Sequence, residues 1–368
     1  MKTVRRLLYR EVVIAVALVT LGFVALFFFF DLVEELQSVN RSGALGYRIP
    51  QALIYIGLTM PNHIYELMPI TVLIGTIFVM ARLAQSSEFT ILRTSGLGPW
   101  RALRTLLTLG LVFVLFTFAV GDYIAPLADR TAQLLKARFQ GQVTVGKTGA
   151  WLKEKQAYGS FAVNVGALSG DGDMKDVRIF EFDNRGHLVS VTQGQTATFG
   201  EHDDWLLSGV DRTEFTTVDN QSGHVDRTFP PSFRWPTGVT AEMVAAAVLR
   251  PERMGTIDLF QYMQHLSSNN QSAQKYEIQF WKKVFYPLSC LVMVVLALPF
   301  AYFHFRSGSI ASYVFGGVMA GISFVLLNNV LSDLGTLQGW QPWFTAALPG
   351  LIYSILSLTA FTWLVLKR

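Results

Sequence analysis

VVIAVALVTLGFVALFFFF, residues 12–30, carries no charged side chain. A helix rises about 1.5 Å per residue, so roughly 20 residues of this kind reach across the hydrocarbon core of a bilayer. Lys2, Arg5, Arg6 and Arg10 precede the run, and Asp31, Glu34 and Glu35 follow it. A basic start before an apolar run also marks secretion signals. This run is too long for a signal core and no small-residue cleavage site ends it, so it reads as a retained first span. Working outward, six segments qualify, at about 11–36, 52–82, 100–127, 276–303, 308–332 and 343–366. They fall as three, a long polar gap, then three. Composition agrees: of 368 residues 51% are hydrophobic and 15% charged, against about 25% charged in soluble domains.

Charge orients the spans. Short cytoplasmic connections are enriched in Lys and Arg. The N-terminal residues, the second connection (Arg82, Arg93, Arg101, Arg104), the fourth connection (His304, Arg306) and Lys367-Arg368 share that character. The opposite ends carry Asp31, Glu34, Glu35, Asp122 and Asp333. Both termini are therefore expected in the cytoplasm and the central polar region outside it. The net charge of +4 is spent on orientation and does not indicate nucleic acid. One cysteine, Cys290, excludes an intrachain disulfide and Cys₄ or Cys₂His₂ zinc sites.

The region from about 136 to 265 changes pattern. Phe161-Ala162-Val163-Asn164-Val165 and Val177-Arg178-Ile179-Phe180-Glu181-Phe182 alternate with period two, and Asp183-Asn184-Arg185-Gly186 is a turn signal between runs. Such runs predict antiparallel strands in a sandwich or jelly roll. A helix is expected near 256–274, leading back to the membrane. GQVTVGKT, residues 141–148, fits the phosphate-loop pattern G-x-x-x-x-G-K-S/T. That chemistry needs a strand before the loop and a helix after it. Here Gly149-Ala150-Trp151-Leu152-Lys153 follows, which reads as turn then strand, on the side away from cytosolic ATP. The match is read as chance and the chain as hydrolysing nothing itself.

The second connection, LAQSSEFTILRTSG at 83–96, is the most informative stretch. Ser86 can cap a short helix that Gly96, Gly98 and Pro99 end. Phe89 and Leu92 share a face and Glu88 is the lone acid. Such a helix either docks into a groove on a soluble partner or is a plain interfacial connector.

At this point a resemblance enters. LAQSSEFTILRTSG resembles the coupling-helix signature of the LptF/LptG permease family. GDYIAP (121–126), GAWLKEK (149–155) and FWKKVFYPLSCLVMVVLALPF (280–300) agree, the last two looking more like the LptG branch. The resemblance implies an α-helical membrane protein of six transmembrane helices with an all-β, jellyroll-like periplasmic domain between helices 3 and 4. Its parts would be 1–135 with a coupling helix at about 84–97, 136–265, and 266–368. It also implies a non-catalytic subunit of an ABC transporter in the inner membrane. The partners would be an LptB-like ATPase dimer that binds ATP and magnesium, an LptF-like permease, an LptC-like single-span protein, and lipopolysaccharide. No cofactor is expected on this chain.

Under that resemblance Glu88, Phe89, Leu92 and Arg93 couple to the ATPase. Phe27, Phe30, Lys136, Arg138 and Phe324 are candidates to touch the lipid, the two cations through phosphates. Plain lipid-facing or solvated surface is the competing reading. The family can carry lysines after its first span, whereas this chain has Asp31, Glu34 and Glu35, for which a bridging divalent cation is one reading. Gly317 and Gly321 form a G-x-x-x-G that lets helices approach closely. Asn328, Asn329, His63 and Glu66 are intramembrane polar groups expected to line contacts or a cavity. The alternatives are a membrane subunit of another lipid exporter, a membrane-embedded enzyme, for which no nucleophile–base constellation is present, and a sensor, for which no cytoplasmic loop is long enough.

Overall fold

In the computed structural model the opening run lies inside one uninterrupted helix, α1 (Lys2–Ser42). The structure describes residues 2–42, 47–86, 98–140, 149–156, 158–168, 173–200, 204–218, 222–240, 243–244, 251–269, 271–302 and 310–366. α2 (Ile49–Gln85) and α3 (Pro99–Ala119) follow, and a π-helical turn, Val120–Ile124, joins α3 to α4 (Ala125–Gln140). After the strands come α5 (Thr256–Ser268), α6 (Gln274–Phe285), α7 (Ser289–Ala297), α8 (Ile310–Gln338) and α9 (Pro342–Leu366).

Among the described residues, five stretches are long and apolar enough to cross a membrane: Arg5–Val39, Ile49–Gln85, Trp100–Lys136, Ala311–Gln338 and Pro342–Trp363. The fourth span expected from the sequence is not one straight helix. It is the pair Gln274–Phe285 and Ser289–Ala301, bent by 47°. Pro287 explains the break, since it lacks an amide and crowds the preceding turn. Counted as one span, the pair makes six.

The described residues fall into two compact units. The membrane unit comprises Met1–Val33, Thr59–Leu127 and Glu277–Arg368; the β-bearing unit comprises Glu34–Leu58 and Ala128–Tyr276. Within the membrane unit a core of Val12, Val16, Leu73, Leu106, Met293 and Val294 fills the space between helices. α1 is fastened to α2 near both ends, by Arg82 with Glu11 at 2.6 Å and by His63 with Asp31 at 2.9 Å.

The β-bearing unit holds a seven-stranded antiparallel sheet. Its strands are β1 (Ala150–Gln156), β2 (Gly159–Leu168), β3 (Met174–Phe182), β4 (Leu188–Phe199), β5 (Asp204–Val218), β6 (Ser222–Thr228) and β7 (Ser232–Pro236). Neighbours in sequence are neighbours in the sheet from β1 to β6, and β7 pairs with β5 at Asp204–Ser208. The expected β1 strand after the phosphate-loop match is present, so no helix opens there; residues 141–148 themselves lie outside the described residues.

One row crosses this sheet at Gly166, Asp176, Gln195 and Gly209, and at each step the register pairing is interrupted. In β3, β4 and β5 the buried face changes parity across it. In β4 Ser190, Thr192 and Gly194 are buried above the row, and Ala197 below. In β3 the change is from Val177 and Ile179 to Met174, and in β5 from Val210 to Leu207 and Trp205. Asp176 and Gly209 take positive φ, 52° and 64°. The register is the same on both sides of the row, and the change of buried face marks the line along which the sheet turns.

The fold across that row brings Phe161 of β2 against Trp235 of β7, with ring centroids 5.6 Å apart. Trp205 packs edge-on to Trp235 and donates its indole N–H to the Val239 carbonyl at 2.9 Å. The buried Glu154 of β1 accepts from the Thr237 hydroxyl at 2.5 Å and the Gly238 amide at 2.8 Å. Its two oxygens thus lace β1 to the chain after β7.

Trp205→Ala removes the largest fully buried ring of this unit and should cost about 3–5 kcal/mol, read as faster hydrogen exchange through β4–β7 in the intact chain. A second prediction concerns His265 on α5. Burial holds its imidazole below the usual histidine range, and its Nε2 has no partner among the described residues. The unfolded chain binds a proton near pH ~6.5 that the folded chain refuses, so stability is lost as pH falls below that value. Hydrogen exchange over residues 256–268, corrected for intrinsic rate, should be faster at about pH 5.5 than at about pH 7.5. His265→Phe should remove the difference.

Candidate functional site

The C-terminal end of α1 gathers the polar groups that the sequence placed there, and Asp31 and Glu35 each find a partner. In the membrane unit, Phe27 stacks on His63 of α2 at 4.8 Å, and His63 reaches Asp31. Both side chains are partly exposed, at 20% and 26%. Phe27 is half-buried by this contact, whereas Phe30, one turn on, is 56% exposed. Of the two rings proposed as a lipid wall, only Phe30 presents an open face.

In the β-bearing unit, Glu35 is buried at 5% exposure although it was expected at a wet boundary. Its Oε1 accepts from the Tyr47 hydroxyl at 2.8 Å and its Oε2 from Lys136 Nζ at 3.0 Å. Lys136 also lies over the Tyr55 ring, 4.5 Å from its centroid, a favourable cation–π placement. Burial, with Glu35 alongside, pushes the Tyr47 phenol well above its ordinary range, so it stays a donor. Buried carboxylates persist only when paired and hydrogen-bonded, and this one has both. Lys136 is therefore not a free phosphate ligand. Of the acids after the first span, Asp31 is engaged by His63 and Glu35 by Lys136 and Tyr47.

Phe324, a candidate lipid contact, is packed inside the membrane unit. It is 2% exposed, between Tyr286 at 6.3 Å and Tyr353 at 5.1 Å. α8 is apolar on all sides, and such a helix hides which face is core. Gly317 and Gly321 sit against the chain's own second span. A Cβ at Gly317 would lie 2.7 Å from Ile77, and one at Gly321 2.9 Å from Ile70. Asn328 is buried on the same helix. Glu88, Phe89, Leu92 and Arg93, with the rest of 87–97, lie outside the described residues, as does the side chain of Arg138.

Residues 6–364 match the family described as "Lipopolysaccharide export system permease LptF/LptG". The chain belongs to the LptF/LptG family. It is 27% identical over 340 residues to the lipopolysaccharide export system permease protein LptG of Escherichia coli, covering 92% of this chain and 91% of that protein. It is also 27% identical over 342 residues to LptG of Haemophilus influenzae, covering 91% and 90%. An LptF/LptG-family chain with five or six apolar spans is a multi-pass inner-membrane protein, and its named relatives are permease subunits of a transporter.

Sequence reasoning missed the Glu35–Lys136 pair because the two are 101 residues apart; opposite charge at two span ends was the only available signal. Lys136→Met should cost about 1–3 kcal/mol, since it leaves a buried carboxylate unpaired. Adding Glu35→Gln should recover part of that loss, measured by denaturant unfolding in mild detergent.

Proposed function

We propose that this chain is the LptG-like permease subunit of an ABC transporter that extracts lipopolysaccharide from the inner membrane and passes it toward the outer membrane. The observation that carries the reading is the family match across residues 6–364, together with LptG relatives covered over nine-tenths of their length. ATP hydrolysis belongs to a separate LptB-like dimer beneath the membrane, so this chain binds neither ATP nor another cofactor. An LptF-like permease pairs with it, and an LptC-like protein receives the lipid.

In this reading the bent pair is one span, six in all, and both termini are cytoplasmic. The β-domain is periplasmic and jellyroll-like. The parts run 1–135, 136–265 and 266–368. The charge bias of the connections supports the orientation. Residues 84–97 form the coupling helix. Phe89 and Leu92 supply its apolar contact, Glu88 an ion pair to a basic residue of the ATPase, and Arg93 a seat for the helix. Specificity from such a pair exceeds its net energy. Phe30 offers apolar surface to acyl chains, and Arg138 a cation to phosphate. A phosphate reaching Lys136 must displace Glu35.

The test is affinity purification from native membranes in mild detergent, wild type against Glu88→Ala, with proteins and lipids identified by mass spectrometry. Wild type should bring down an LptB-like ATPase, an LptF-like permease and lipopolysaccharide, and Glu88→Ala should lose tenfold or more of the ATPase, ~1.4 kcal/mol or more. An ATPase with a different lipid would keep the coupling helix and overturn the cargo. Wild type without any ATPase would overturn the transporter reading.

A further inference from the structure

The π-helical turn in the third span leaves a carbonyl stranded. Within Val120–Ile124 the Ala125 amide donates to the Val120 carbonyl, one residue further back than an α-helix would place it. That takes away the amide Gly121 would otherwise use. The next amide along belongs to Pro126, which has no N–H. The Gly121 carbonyl therefore has no helical donor, inside a segment where water is scarce and an unmet backbone group costs several kcal/mol.

Lys283 of α6 meets it. Its ammonium donates to the Gly121 carbonyl at 2.9 Å across 162 residues of sequence, and its side chain is 8% exposed. The Tyr65 ring of α2 lies 5.8 Å from the same Nζ, packed so closely on Gly121 that a Cβ there would fall inside the ring's envelope. One turn on from Lys283, Tyr286 donates its hydroxyl to the Glu66 carbonyl at 2.6 Å, beside the turn that Pro69 loosens in α2. Irregular backbone in spans is tolerated where neighbours satisfy it, and π-bulges concentrate at functional positions.

The location of this bond gives it meaning. The chain leaves the membrane unit after Leu127 and re-enters it at Glu277. Gly121 lies just before the first crossing and Lys283 just after the second, both inside the membrane unit. These are the two crossings that carry the strands. We propose that Lys283 is a positioning residue that pins them to each other, so the third span and the bent fourth span move as one element where they enter and leave the β-bearing stretch. The proposal does not rest on the export reading.

The experiment is hydrogen exchange on the full chain in lipid nanodiscs, reading residues 120–127 and 282–289 separately. Wild type is compared with Lys283→Met, Lys283→Arg, Pro126→Ala and the double variant Pro126→Ala/Lys283→Met. Lys283→Met should speed exchange tenfold or more in both segments, and Lys283→Arg should stay within about threefold of wild type. Pro126→Ala restores an amide within reach of the stranded carbonyl, so adding Lys283→Met to it should cost at most a third of what it costs alone. An equal cost in both backgrounds overturns the proposal, because Lys283 would then be serving something other than that carbonyl. Faster exchange in only one segment overturns the pinning, as does an arginine variant no better than methionine. If Lys283→Met does not accumulate, recovery of folded protein by the double variant supports the proposal, and failure of both to accumulate overturns it.

Discussion

Backbone groups in hydrocarbon have no water to turn to, and this chain interrupts its spans where proline and a π-turn remove ordinary helical partners. Pro69 loosens α2, the Val120–Ile124 turn and Pro126 interrupt the third span, and Pro287 breaks the fourth. Two carbonyls in these irregular stretches are met by side chains from another span, Glu66 by Tyr286 and Gly121 by Lys283. The second, third and fourth spans are tied together through these bonds.

The same accounting governs the charges at the C-terminal end of α1. Asp31 and Glu35 occupy the boundary that follows the first span, and both are used within the protein. A buried ion pair contributes little net energy and mainly fixes which groups stay together. His63 with Asp31 holds α1 to α2 in the membrane unit, and Lys136 with Glu35 holds α1's C-terminal end to α4 in the β-bearing unit. Ligand binding at either place has to compete with a partner already seated.

The spans were legible because their apolar runs are long and the connections carry opposite charge at opposite ends. The strands were legible from alternation, as in Phe161–Val165, whose odd-numbered residues are buried. What the sequence hid were the contacts between distant segments. Pro126 and Lys283 are each visible, but nothing in one-dimensional text joins a missing amide to an ammonium on another helix. The burial of Phe324 was not legible because α8 is apolar around its whole circumference, which erases the periodicity that marks an inward face. Gly317 and Gly321 announced a close approach without naming the neighbour, which is Ile77 and Ile70 of the same chain. In the sheet, alternation predicts strands but does not report where the phase slips, so the row through Asp176, Gln195 and Gly209 was invisible.

That row constrains how the sheet can change over time. A strand that loses one residue normally slips its whole buried face to the outside. Here β2, β3, β4 and β5 keep one register on both sides of the row. A deletion at Asp176, Gln195 or Gly209 alone would leave that strand out of phase with both neighbours on one side of the fold. Only matched deletions in all four strands, Gly166 included, would keep the phase, and they would disturb the turn of the sheet that lets Phe161 reach Trp235. The length of these strands is thus held by a collective rule, under which neutral drift can replace the residues of the row but cannot remove one at a time.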